Sequence, residues 1–190
     1  MSSTGRIGLL TGTFDPVHLG HVAMAEAALR ECGLDEVWFL VNPDPGHKVG
    51  VTDYAHRLAM VRLAVAGRSG LRAGAPIGDP KRHRMADFER MMSAYPGKKF
   101  VFIVGADVLM AMRAWEDYEP AVARAEFAVA RRAKMDEIQA DGRMQVQNFE
   151  FSDHADASSR LIQGQLRAGA RPAELDGRVY DYIREQGLYI

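Results

Sequence analysis

The sequence predicts an α/β protein in which a doubly wound parallel sheet is covered by helices on both faces. Short apolar runs between turn residues are typical of buried parallel strands, and segments of helical composition separate these runs. This alternation of strands and helices favours a parallel sheet. The 190 residues are enough for one domain with a sizeable core. We therefore expect a single domain over 1–190, with a C-terminal helical part at 157–190.

The first part of the chain contains the clearest elements. An apolar run at 6–11 predicts the first strand, and the polar loop GTFDPVHLGH follows it. A helix is predicted over 19–31, with Gly33 placed to end it. A second strand is predicted at 36–41.

The rest of the chain continues the alternation, except at 67–82, where Gly, Pro and Arg leave no clear pattern. Buried strands are predicted at 100–104 and 126–130, and an alternating strand at 144–151. The predicted helices lie at 53–66, 84–94, 107–113, 119–124, 157–168 and 175–185, with a short helix or loop at 134–142.

The composition is that of a soluble globular protein with little net charge. Apolar residues make up 47%, charged residues 26%, and the net charge is -1, so no basic field favours duplex nucleic acid or an anionic membrane. The single cysteine, Cys32, excludes an internal disulfide and a cysteine-based metal cluster. No secretory h-region follows the short apolar run near the N-terminus, so we expect no leader, and no apolar stretch reaches about 20 residues. We expect a cytoplasmic protein without nucleic-acid or membrane partners, and the sequence leaves a homo-oligomer open.

Three polar loops follow predicted strands, at 12–21, 42–48 and 105–107. Ligands of open α/β sheets bind beyond the carboxyl ends of the strands, where such loops meet. An anion site in this nearly neutral chain has to be built locally from a few placed groups. We therefore expect the functional site at this edge of the sheet.

The loop GTFDPVHLGH has the features of a phosphate site. Gly12 allows the backbone to pass close to a ligand. The helix that begins near Leu19 directs its free N–H groups and its positive dipole end towards the loop. His18 and His21 share a face of the first helical turn, so both imidazoles can donate to phosphate oxygens. Gly20 between them leaves room for a nucleotide.

This segment resembles the signature of nucleotidyltransferases that have an H-x-G-H motif on a dinucleotide-binding, Rossmann-like fold. The resemblance implies that His18 and His21 bind the ATP phosphates and stabilise the transition state. The dehydrogenase fingerprint G-x-G-x-x-G is absent from the sequence, which argues against that class. The implied ATP site also includes Gly12, Thr13, Phe14 and Gly20.

Further segments resemble the bacterial nicotinate-nucleotide adenylyltransferases. NPDPGHK resembles their P-P-H-K loop, with Gly46 at the second proline, and this implies that Lys48 neutralises phosphate charge. FVFIVGADVLMAMRAW resembles their F-I-I-G-A-D block and the Trp after it. This match places Gly105 and Asp107 at the nucleotide and Trp115 against a pyridine ring. RLAMVRLAV, EFAVARR and GRVYDYIREQGLY also resemble family segments. The resemblance assigns the acceptor to Lys48, Arg57, Trp115 and Arg132.

Two segments depart from that family. Its I-S-S-T-x-I-R segment supplies hydroxyls, helix amides and an Arg to the ATP phosphates, whereas this chain has ASSRLIQ at 157–163. We expect Ser158 and Ser159 to keep that role, and Arg160 to replace the missing guanidinium from one helical turn earlier. Its S-Y-T-x-x-T-L segment corresponds to RHRMADF at 82–88, where Arg84 is expected to receive the acceptor. A different acceptor is the alternative explanation of this second change.

These observations and the resemblance predict an adenylyltransferase that moves AMP from ATP, with Mg²⁺, to nicotinic acid mononucleotide, giving deamido-NAD and pyrophosphate. His18, His21 and Lys48 are expected to act as electrostatic donors without a general base, because the attacking phosphate is already ionised near neutral pH. Three alternatives stay open. The first is an adenylyltransferase with another acceptor, either nicotinamide mononucleotide or phosphopantetheine. The second is a protein that binds nucleotide without catalysis. The third is a hydrolase in which His18, His21 and Asp15 form a metal site.

Overall fold

Six parallel strands of the described residues form the central sheet of the computed structural model. The structure describes residues 5–45, 49–74, 84–111, 118–119, 123, 125–131 and 142–190, with the backbone alone at 84–88, 107, 110 and 111. The strands are β1 (Arg6–Gly12), β2 (Glu36–Val41), β3 (Leu71–Gly74), β4 (Lys99–Gly105), β5 (Glu126–Arg131) and β6 (Gln145–Glu150). Their order is β3-β2-β1-β4-β5-β6, so the winding reverses between β1 and β4. The predicted doubly wound α/β fold is confirmed.

The helices largely follow the predicted pattern. They are α1 (Leu19–Glu31), α2 (Tyr54–Val65), α3 (Arg84–Ala94), α4 (Ala106–Ala111), α5 (Ser159–Arg167) and α6 (Gly177–Glu185). Gly33 follows α1 with φ +59°, and the Leu34 N–H donates to the Leu29 carbonyl, which is the closing bond that a left-handed glycine permits. None of the helices described combines the length and the apolar character that a membrane crossing needs.

Two apolar clusters lie on opposite faces of the sheet. Leu10 of β1 faces the larger cluster, which includes Val179 of α6. Leu9 faces the smaller cluster, with Met91 of α3 and Leu109 of α4. Because successive strand residues project to opposite faces, β1 has to be apolar throughout to bury both sides. This explains why its sequence is a continuous apolar run.

The sheet includes one strand that the sequence did not predict. β3 has four residues at the edge, and only Leu71 is buried, so it shows neither an apolar run nor a regular alternation. Its register places Leu71 beside Val37 of β2. The segments predicted at 119–124 and 134–142 lie largely outside the described residues.

Candidate active site

The carboxyl end of β1 lies where the strand order reverses, next to β4. In open α/β sheets, ligands usually bind beyond the carboxyl ends of the strands at the point where the strand order reverses. The loop 13–18 leaves β1 here, and the backbone N–H of Asn42, just after β2, donates to the Gly12 carbonyl over 2.8 Å. Gly105 ends the neighbouring strand β4. The three polar loops predicted to form the site therefore begin on adjacent strands.

His18 and His21 form a stacked pair at the start of α1. His18 is the N-cap residue, and its backbone N–H donates to Nδ1 of His21 over 3.2 Å. The two ring centroids are 3.6 Å apart, and the ring planes meet at 29°. Because Nδ1 of His21 accepts a hydrogen bond, the ring hydrogen of a neutral His21 lies on Nε2. The pair thus places an N–H donor beside the positive end of the helix dipole.

The glycines of this segment make room for other protein atoms. A Cβ at Gly12 would lie 2.8 Å from Cζ of Phe14, whose ring meets the His21 ring edge-on with the centroids 5.0 Å apart. A Cβ at Gly20 would lie 2.5 Å from the backbone carbonyl oxygen of His154. The sequence explained both glycines by the close approach of a ligand. In the structure, the spaces hold the Phe14 ring and the turn before α5.

A second helix start lies against the same loop. Ser159 opens α5, and its hydroxyl donates to the Pro16 carbonyl over 2.9 Å. The side-chain amide of Gln163 donates to the Asp15 carbonyl over 2.7 Å. The N-termini of α1 and α5 therefore converge on the loop, an arrangement that favours an anion at this point.

Arg57 lies buried between the loops that follow β1 and β2, with 1% exposure. Its Nη1 donates to the Thr13 carbonyl over 2.8 Å and to the Asn42 carbonyl over 2.7 Å. Its Nη2 donates to the Pro43 carbonyl over 3.3 Å, and its Nε to the Thr52 carbonyl over 2.7 Å. This placement differs from the acceptor contact that the resemblance implied.

Asp15 is the buried carboxylate of the loop, with 7% exposure. Its Oδ1 accepts a short hydrogen bond from the Tyr189 hydroxyl, and its Oδ2 accepts from the Thr52 backbone N–H over 3.3 Å. Burial, and then the hydrogen bond to Asp15, raise the pKa of Tyr189 far above its ordinary value. Burial lowers the pKa of Arg57, and the Asp15 carboxylate opposes that change. The sequence alone did not predict this network.

The remaining predicted site residues fall into three groups, those with side chains described, those with only the backbone described, and those outside the described residues. Arg84 and Asp107 are described by their backbone alone, in α3 and α4. Ser158 is the N-cap of α5, and Arg160 is exposed in its first turn. Lys48, Trp115 and Arg132 lie outside the described residues. The roles of all these residues stay predictions.

The described groups around the loop suit phosphate better than they suit a metal ion. Within the described ranges, no set of three His, Cys, Asp or Glu side chains could hold a metal, and both carboxylate oxygens of Asp15 accept hydrogen bonds from the protein. The imidazole and helix amides are N–H donors, whereas Mg²⁺ takes oxygen ligands. The described side chains of this loop would therefore not hold a Mg²⁺ ion by themselves.

The chain matches known proteins over most of its length. The family model described as cytidylyltransferase-like matches residues 9–164. The "Probable nicotinate-nucleotide adenylyltransferase" of Gloeobacter violaceus is 31% identical over 201 residues, which cover 97% of this chain and 96% of the relative. The protein of the same name from Halalkalibacterium halodurans is 32% identical over 193 residues, which cover 97% of this chain and 91% of the relative.

A solved structure shares the fold. The Plasmodium falciparum nicotinic acid mononucleotide adenylyltransferase complexed with NaAD aligns over 97% of both chains, with a TM-score of 0.79 and 17% identity. The family itself is established by the family match and by the two relatives that share more than 30% identity along nearly the whole chain. The chain therefore belongs to the cytidylyltransferase-like family and, within it, to the nicotinate-nucleotide adenylyltransferases.

Proposed function

We propose that this protein transfers AMP from ATP to nicotinic acid mononucleotide, forming deamido-NAD and releasing pyrophosphate. The observation that carries the proposal is the stacked pair of His18 and His21, which lies near two helix starts where the strand order reverses. The relatives from Gloeobacter violaceus and Halalkalibacterium halodurans are named for this activity. The Plasmodium falciparum enzyme was solved with NaAD, the product expected here.

The reaction brings two anions together without a covalent enzyme intermediate. An oxygen of the acceptor phosphate forms a bond to the α-phosphorus of ATP, while the bond from that phosphorus to the α,β-bridging oxygen breaks. The bridging oxygen leaves with pyrophosphate. Because the acceptor phosphate is already ionised at neutral pH, no side chain has to remove a proton. The protein therefore contributes by positioning the reactants and by offsetting negative charge.

His21 has the tautomer that this task needs. Its Nδ1 accepts from the His18 backbone N–H, so Nε2 carries the hydrogen that donates to a phosphate oxygen. His18 stacks on His21, and we assign the His18 ring to the neighbouring phosphate. The dipoles of α1 and α5 add positive potential at the same point.

Cations complete the proposed ATP site. Mg²⁺, which would enter with ATP, would offset phosphate charge. Lys48 is proposed to neutralise the phosphates from the loop after β2. The family carries an Arg at the Gln163 position, but here the Gln163 amide donates to the Asp15 carbonyl. We therefore propose that Arg160, which is exposed on the first turn of α5, supplies the guanidinium instead.

The acceptor and ribose contacts are proposed from the family resemblance. Arg84 and Arg132 receive the charged groups of the acceptor, Trp115 stacks on its pyridine ring, and Gly105 with Asp107 takes the nucleotide ribose. We further propose that residues 1–190 form a single domain and that the protein works in the cytoplasm.

Pyrophosphate release tests this function. The full chain is incubated with ATP, Mg²⁺ and nicotinic acid mononucleotide, with nicotinamide mononucleotide and phosphopantetheine in parallel. We expect kcat/KM for the first acceptor to exceed the other two by at least about tenfold. Faster release with another acceptor would reassign the substrate. ATP binding without release from any acceptor would mean that the protein binds nucleotide without transferring it.

A further inference from the structure

Arg57 is the largest fully buried side chain among the described residues, although it carries a charge. It lies in the first turn of α2, on the face that also buries Met60 and Val61. A buried guanidinium requires partners for its N–H groups. Its four hydrogen bonds given by the structure all go to backbone carbonyls.

These carbonyls come from separate segments of the chain. Thr13 is the first residue after β1, and Asn42 and Pro43 are the first residues after β2. The single nitrogen Nη1 bonds to one carbonyl from each loop, over 2.8 Å to Thr13 and 2.7 Å to Asn42. The guanidinium therefore bridges the two loops, in addition to the hydrogen bond from the Asn42 N–H to the Gly12 carbonyl.

The charge of Arg57 is compensated within the same assembly. The Thr52 carbonyl accepts from Nε of Arg57, and the Thr52 backbone N–H donates to the buried Asp15 carboxylate. Asp15 belongs to the loop after β1, so the cation and the anion both link that loop to Thr52.

We propose that Arg57 is a positioning residue, which fixes the spacing between the loop that ends at His18 and the loop that begins at Asn42. It acts through the backbones of both loops and does not contact the acceptor. The inference rests on the proposed function, in which the first loop serves ATP and the second loop leads along the sequence towards Lys48. A change at Arg57 is therefore expected to affect both substrates and the chemical step, whereas loss of a direct acceptor contact affects one substrate.

The substitution Arg57→Lys separates these two roles. It keeps the positive charge, but an ammonium group has three donors and no planar fork, so it cannot bond to all four carbonyls. Arg62→Lys is the matched control, because Arg62 is an exposed residue of the same helix. The kcat and the KM values for ATP and for nicotinic acid mononucleotide are measured for the wild type and both variants, well below their melting temperatures.

We expect Arg57→Lys to lower kcat by at least about tenfold and to raise both KM values, with Arg62→Lys unchanged. Hydrogen exchange provides a readout that is independent of turnover. Peptides covering 13–18 and 42–45 should exchange faster in Arg57→Lys, while peptides from β4 should not. A rise in the acceptor KM alone, with kcat, the ATP KM and exchange unchanged, would overturn the proposal in favour of an acceptor contact.

Arg57→Gln is used if Arg57→Lys does not unfold cooperatively, since its amide can donate to two carbonyls without a charge. The same kinetic and exchange results are expected. If neither variant folds, the proposal is overturned, because Arg57 is then required for the whole fold and not for loop spacing. Lack of pyrophosphate release from the wild type would contradict the proposed function instead, and the exchange comparison would still decide the role of Arg57.

Discussion

The loop between β1 and α1 has two sides with different partners. On one side, which is proposed to face the substrates and is called the substrate side, His18 and His21 stack on each other within one turn of helix. On the anchored side, Asp15 accepts through its carbonyl from Gln163 and through its carboxylate from Tyr189, residues that lie 148 and 174 positions away in the sequence. The substrate side is thus local in sequence, whereas the anchored side is assembled from distant parts of the chain.

This contrast explains why a departure from a motif need not remove a function. Stabilising phosphate charge requires particular side chains at particular places, but holding a backbone carbonyl requires only a donor that reaches it. Gln163 stands where the family carries Arg, and by sequence it suggests a lost phosphate clamp. In the structure its amide donates to the Asp15 carbonyl over 2.7 Å. The substitution has placed this residue on the anchored side.

The largest effect is expected on the substrate side, at His21. His21→Asn keeps an acceptor for the His18 N–H but removes the Nε2 donor, so kcat should fall by about 10²- to 10³-fold with little change in melting temperature. His21→Gln keeps a donor near Nε2 and loses the Nδ1 acceptor, so it should retain more turnover and less thermal stability. Kinetics and thermal unfolding measure both. Wild-type turnover in His21→Asn would remove His21 from the substrate side.

The next effect is expected where the two sides meet, at Gly20. Gly20→Ala places a methyl group 2.5 Å from the His154 carbonyl oxygen, so α1 and the turn before α5 must separate. We expect a loss of about 2 kcal/mol in the free energy of unfolding, together with weaker ATP binding. Gly164→Ala is the control, because nothing lies within 4 Å of its new methyl group, and it should stabilise α5 by about 0.5 to 1 kcal/mol. Urea unfolding and ATP titration measure the two effects. Unchanged ATP affinity in Gly20→Ala would mean that the α1–α5 contact does not shape the site.

A smaller effect is expected on the anchored side, at Tyr189. Tyr189→Phe removes the donor to Asp15 and should cost about 1.5 kcal/mol of unfolding free energy, with a smaller loss of kcat than in His21→Asn. The folded state raises the pKa of Tyr189, so its contribution is present below the pKa of an unfolded tyrosine, about 10, and declines at higher pH. The unfolding free energy of the wild type should therefore fall more steeply above that pH than that of Tyr189→Phe.

Tyr95→Phe is the control for this pH dependence, because Tyr95 is exposed. The unfolding free energy of Tyr95→Phe should fall with rising alkaline pH as steeply as that of the wild type. Denaturant unfolding between neutral and alkaline pH gives all three slopes. Parallel slopes for the wild type and Tyr189→Phe would contradict the role given to the buried hydroxyl.

The smallest effect is expected at Arg160, which is exposed and whose charge is therefore screened by solvent. Arg160→Ala should raise the KM for ATP by about three- to tenfold at low salt and by less at high salt. Arg167→Ala, in the last turn of the same helix, should leave it unchanged. An ATP KM that does not respond to Arg160→Ala would remove this residue from the substrate side.

Local elements were predictable because each carries its signal within its own residues. β2 and α1 have the predicted bounds, the first from a continuous apolar run and the second from helical composition followed by Gly33. The spacing of His18 and His21 likewise placed both at one helix start. β3 gave no signal, since a four-residue edge strand with one buried residue needs no apolar pattern.

The contacts of the anchored side could not be predicted from the sequence. Most of its acceptors are backbone carbonyls, and because every residue has one, the sequence does not mark which of them accept. Arg57 nevertheless left a usable signal, since it shares a helical face with Met60, Val61 and Ala64, all buried. That periodicity places the guanidinium inside the protein, where it must find several acceptors. Only the packed chain identifies them as the carbonyls of the two loops.

The contacts made by residues 159–189 also affect when, during synthesis, the loop with His18 and His21 can reach its final structure. Synthesis proceeds from the N-terminus, so the loop carrying His18 and His21 emerges from the ribosome early. Its partners, among them the Glu174 carbonyl that accepts from the Leu19 N–H, emerge much later. If this loop binds ATP as proposed, we expect nucleotide binding to be among the last properties that a nascent chain acquires, after nearly all of this sequence has been translated.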